Sequence, residues 1–135
     1  MNENAHLLLD KLIKETKNLS ISWRKYDPNI ELLKPTKKDL FSADNDELST
    51  YAPIDASYVC NYQSTQFFLL AYDDLWAGPF IKLYVQTLDS NHSKLYAAST
   101  GENDFDIITE LKRLYNLVES FDDPIENSIR DFIRK

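Results

Sequence analysis

Carboxylates in three groups are the residues of this chain with the most chemical reach. Asp44, Asp46 and Glu47 form one group, Glu102, Asp104 and Asp106 a second, and Asp122, Asp123 and Glu126 a third. Converging carboxylates can hold a divalent cation, move a proton or face a basic protein surface. In the second and third groups, helix ends account for Asp104, Asp106, Asp123 and Glu126. Asp104 and Asp106 suit the positive N-terminal end of a helical stretch. Asp123, Pro124 and Glu126 read as N-cap, first helical residue and capping-box partner. Asp44, Asp46 and Glu47 precede no such pattern, which makes them candidate partner-binding residues. Trp76 is the fourth candidate. In "DDLWAGPF" it occupies a turn between apolar runs, where a large aromatic beside acids suits an interface anchor. Folding back over a sheet edge is the plainer account of it.

Other reactive residue types make no constellation. Asp73 and Asp74 end an apolar run, and neighbours on a strand point to opposite faces, so the two do not converge. His6 and His92 stand alone, whereas metal sites need three or more ligands. Ser93 beside His92 is adjacency, and a Ser–His pair is defined by spatial roles. Cys60 is the one cysteine, so neither an intramolecular disulfide nor a cysteine-based metal site is open to the chain. In "YVC" it reads as a small buried hydrophobe. The only glycines are Gly78 and Gly101, too few for a loop that cradles phosphate. No catalytic residue, cofactor site or metal site is expected.

The elements that would position these residues follow from periodicity. Residues 3 to 17 place Ala5, Leu8, Leu9, Leu12 and Ile13 on one helical stripe. "SISWRKY" (20–26) alternates as a half-buried strand with Ile21 and Trp23 inward. A long loop or insertion at 28–54 follows, longer than compact domains ordinarily leave without structure. "ASYVCNY", "QFFLLAYD", "FIKLYVQTLD" and "SKLYAAST" are rich in strand formers, and the short breaks between them imply antiparallel hairpins. "QFFLLAYD" is apolar on both faces and reads as a central strand. In the next strand Ile81, Leu83 and Val85 share one face and Lys82, Tyr84 and Gln86 the other, so one sheet face is expected dry and one wet. Residues 104 to 120 return to helical spacing, and "PIENSIRDFIR" gives a last amphipathic helix. The expected fold is α+β in a single domain, 1–135. It is an antiparallel sheet of about 4–5 strands with an N-terminal helix and two C-terminal helices packed on one face.

Composition bounds the partners. The chain has 135 residues, a formal charge of −7, eight Tyr, seven Phe and two Trp. Without a large Lys/Arg cluster, direct nucleic-acid binding is not expected, while a basic protein partner is admitted. Solubility alone also accounts for the charge. No run approaches the roughly 20 apolar residues that span a bilayer, and "MNENAHLLLDKLIKETK" does not read as a signal peptide, so a cytoplasmic protein is expected. The tyrosines of the wet face could serve as a homodimer surface.

"LLDKLIKETKNLSISW", a strand block ending in "SKLYAAST", then "LKRLYNLVES" and "IENSIRDFIRK" resemble small uncharacterised proteins of Gram-positive bacteria, often associated with prophages or other mobile elements. The resemblance excludes 28–54 and transfers no functional residue. It implies a bacterial cytoplasmic setting and an accessory role. The expected function is a non-enzymatic protein-binding module of the immunity, antitoxin, inhibitor or regulator type, acting through an acidic surface and the 28–54 loop. The alternative is a small-ligand-binding domain or minor hydrolase, with a pocket between sheet and insertion lined by Tyr58, Tyr62, Tyr72, Tyr84 and Tyr96.

Overall fold

The computed structural model describes residues 3–27, 33–34, 56–74, 78–90, 92–100, 104–122 and 124–134. Helix α1 (Glu3–Lys17) leads to the two-residue strand β1 (Arg24–Lys25). Then come β2 (Tyr58–Tyr62), β3 (Thr65–Asp74), β4 (Gly78–Thr87) and β5 (Lys94–Ala98), followed by α2 (Phe105–Asp122) and α3 (Pro124–Arg134). The strands form one antiparallel sheet in the order β1-β2-β3-β4-β5, with β3 at its centre. The expected α+β architecture is the observed one.

The first strand is shorter than its alternation predicts because the end of α1 claims the preceding residues. The Leu19 amide donates to Thr16 O (3.1 Å) and the Ser20 amide to Glu15 O (2.9 Å), closing the helix with Leu19 in the left-handed region at φ 62°. Trp23 is then drawn onto the helix. Its indole Nε1–H donates to Thr16 Oγ1 at 3.0 Å, and that hydroxyl donates to Leu12 O at 2.6 Å. Pairing with β2 is left to Arg24 and Lys25.

Cross-strand register builds the main core. Tyr58, Leu69, Leu83 and Ala97 lie side by side across β2 to β5 and point to the helices. Leu9, Leu12 and Ile13 of α1 and Ile107, Leu111, Leu114 and Val118 of α2 close over that row. Burial on this scale is the main source of stability in a domain of this size. The Tyr115 hydroxyl donates to Ala56 O (2.7 Å) and fastens α2 to the chain entering β2.

The opposite face is also buried, which corrects the expectation of a wet one. Val59, Phe68, Leu70, Tyr72, Phe80 and Tyr84 form a second apolar cluster, with Tyr26 and Leu33 packed against it. Tyr72 stacks on Phe80 (ring centroids 5.0 Å apart), and Tyr26 meets Phe68 edge-on. Of the residues read as wet, Tyr84 and Gln86 are buried and Lys82 is half-buried. Gln86 accepts from the Lys34 amide (2.9 Å) and donates to Gln66 (3.0 Å), and Lys82 Nζ lies 5.8 Å from the Tyr72 and Phe80 ring centres. Of the connection between β1 and β2, residues 33–34 lie against this face. The alternation in β4 is therefore real, but it separates two cores rather than core from solvent. With Tyr84 buried, the wet tyrosine face expected to serve a homodimer is absent from the described sheet.

Candidate functional site

Helix α3 is mounted with its polar side inward. Pro124 opens it, as its fixed φ and missing N–H favour. Asn127 Nδ2 donates to Phe121 O at 2.7 Å, satisfying a carbonyl that the end of α2 leaves open. The Arg130 guanidinium lies 4.0 Å from the Phe121 ring centre, donates to Asn127 Oδ1 (2.7 Å) and reaches Ser120 Oγ (3.4 Å). These contacts hold residues 127 and 130 against α2. In a helix, residues 125, 129, 132 and 133 lie on the other side. Ile125, Ile129, Phe132 and Ile133 are accordingly 70, 48, 80 and 75% exposed. Amphipathic helices in globular domains normally turn the apolar stripe inward, so an outward stripe held by polar anchors is the feature of this fold that calls for a partner.

A second cluster joins α1 to α2. His6 Nε2 is 3.0 Å from Asp104 Oδ2, and Nδ1 is 3.2 Å from Glu110 Oε1. Asp104 also caps α2, accepting from the Asp106 amide at 2.9 Å. The Asp104 hydrogen bond, then that to Glu110, holds His6 above its ordinary pKa. Hydrogen bonding to His6, aided by the amides of Asp106 and Ile107, holds Asp104 below its own. The two carboxylates occupy opposite nitrogens of one ring, so they do not converge on a common ion, and neither ring nitrogen is left to act as a base. Its chemistry is a charge clamp between helices. No group of three or more His, Cys, Asp or Glu side chains arranged to hold a metal ion occurs among the described residues. Sequence spacing could not reveal this cluster, because His6 and Asp104 are 98 residues apart.

The candidate partner-binding residues Asp44, Asp46, Glu47 and Trp76 lie outside the described residues. Asp73 is exposed on β3, paired with Pro79. The Ser93 hydroxyl donates to Lys34 O at 2.7 Å, so it does not pair with His92, whose amide bonds Ser90 Oγ in their own turn. Cys60 is fully buried, and loss of hydration pushes its thiol pKa up to about 12. The tyrosines of the pocket reading do not lie on one face of the sheet. Tyr58 faces the helices, Tyr72 and Tyr84 face the second cluster, and Tyr62 is exposed at the end of β2.

No helix among the described residues is long and apolar enough to cross a membrane. Family models, curated proteins and solved structures yield no match to the chain.

Proposed function

We propose that this chain is a non-enzymatic protein-binding module of a bacterial cytoplasm, of the immunity, antitoxin, inhibitor or regulator type. The observation that carries the reading is the outward apolar stripe of α3, fixed there by Asn127 and Arg130. A helix whose polar side is used for internal docking has its apolar side available for a protein surface. The net charge of −7 adds a preference for a partner with basic surface, with Asp44, Asp46, Glu47 and Trp76 as the residues proposed to meet it.

The test is capture by the purified chain of proteins from a bacterial lysate, its own untagged copy included, at low and moderate salt. Two altered baits run beside it: Ile129→Asp with Phe132→Asp, and a chain with residues 37–50 replaced by a short Gly/Ser linker. The reading expects stoichiometric prey that is lost from the helix variant and weakened by salt or by loss of the loop. Capture that neither alteration nor salt affects overturns it.

A further inference from the structure

We propose that the occupant of the α3 stripe is a second copy of this chain, making the protein an antiparallel homodimer through α3. This rests on the binding reading above and names the partner of that surface. Ile125, Ile129 and Ile133 stand four residues apart and form a single i±4 ridge. A two-fold axis through Ile129 places Ile125 of one copy against Ile133 of the other, so the patch is complementary to itself, as an isologous interface requires. Ridges of this class interdigitate with axes crossing at about 50°. Phe132 flanks the ridge and adds the large aromatic area on which interface energetics depend.

The helix dipoles set the sense of the pairing. Antiparallel copies oppose the two dipoles, whereas parallel copies align them. Arg130 is held on the inner side of α3 by Phe121, Asn127 and Ser120 and takes no part in the contact. Signs balance within the helix, so the overall charge of −7 does not concentrate at the contact. The same balance disfavours a lipid surface, which selects an excess of Lys/Arg on the polar face. Area agrees: the four exposed side chains present roughly 500 Å² per copy, or about 1,000 Å² when two are covered, the level at which specific interfaces begin.

Sedimentation equilibrium of the full chain over a range of concentrations tests the proposal. The wild type is expected at twice 15.7 kDa and Ile129→Asp at 15.7 kDa with an unchanged circular-dichroism spectrum, dimerisation weakened at least about 30-fold. Cysteine crosslinking serves as a second readout, because buried Cys60 is not a competing thiol. Ile129→Cys should form a disulfide-linked dimer across the axis, and Ile125→Cys should do so only when mixed with Ile133→Cys. A monomeric wild type overturns the proposal, as do a dimer indifferent to Ile129→Asp and a self-linking Ile125→Cys. A monomeric wild type whose capture of another protein is lost with Ile129→Asp overturns the dimer and keeps the binding reading. A monomer whose capture ignores that change overturns both.

Discussion

His6 Nε2 stands 3.0 Å from Asp104 Oδ2, joining the first turn of α1 to the N-cap of α2. With Glu110 on the other ring nitrogen, one imidazole ties together the two helices that cover the sheet. Tyr115 fastens α2 from its other half. The helical layer is thus held at separate points, while α3 is attached to α2 through Phe121, Asn127 and Arg130. That layer carries α3 with Ile129, Phe132 and Ile133 exposed to solvent.

The His6 clamp gives stability a definite pH dependence. The folded pKa of His6 is raised above 6.5, so its contribution is complete below pH 6.5 and is lost as pH rises through the folded value. The folded pKa of Asp104 is lowered below 3.8, so its contribution is complete above pH 3.8 and is lost as pH falls through the folded value. The clamp is therefore fully engaged between these limits and weakens on either side. Urea midpoints measured from pH 5 to 9 should fall above pH 6.5 for the wild type and stay flatter for His6→Gln, which cannot titrate. Parallel curves for the two proteins would remove the clamp from the account of stability.

Leu69 and Leu70 are adjacent on β3, point to opposite faces and are both fully buried. Leu69→Ala and Leu70→Ala should each cost about 2–5 kcal/mol in chemical denaturation, the range for deleting a large aliphatic side chain from a packed core. A sheet with one solvated face would make the Leu70 change nearly silent. A loss below about 0.5 kcal/mol at Leu70, the level of surface substitutions, would count against the second core.

What the chain reveals before folding depends on how local the determinant is. The helix over 3–17, the central strand and Pro124 at the start of α3 were legible because periodicity and a single special residue decide them. The second core was not. Lys82, Tyr84 and Gln86 carry polar ends, and only the fold shows that Gln86 meets Lys34 and Gln66, that Lys82 lies beside rings and that Tyr84 is buried in the second cluster. The apolar residues of α3 were legible as a stripe, but their direction was not, because Asn127 and Arg130 fix it through contacts to Phe121 and Ser120 of α2. His6 illustrates the same limit, since it gains a role only when residues about a hundred positions away come beside it.

Lys34 closes the far end of the β4–β5 hairpin. Its ammonium donates to Thr87 O (2.9 Å), Leu88 O (3.4 Å) and Ser90 O, while its own carbonyl accepts from Ser93 Oγ. One side chain thereby satisfies three carbonyls of a turn and pins residues 33–34 to the second core. Lys34→Met keeps much of the apolar stem and removes the donors, so it should lower stability by about 1–3 kcal/mol, with amide exchange accelerated in residues 88–93. Unchanged exchange there would mean that the turn holds itself without Lys34.

Among the described residues, two that carry a Cβ occupy backbone conformations that side chains resist. Leu19 has φ 62° at the end of α1, and Gln63 has φ 55° in the turn between β2 and β3. Left-handed geometry costs an L-residue about 1–2 kcal/mol, and glycine avoids that cost while losing more chain entropy on folding. Both side chains are exposed, so little packing is lost on removing them. Leu19→Gly and Gln63→Gly should each raise stability by about 0.5–1 kcal/mol. Leu19→Ala and Gln63→Ala, which keep a Cβ, should give no such gain. Thermal unfolding of the four variants decides the matter. Equal effects of Gly and Ala at either position would show that the left-handed geometry there carries no strain.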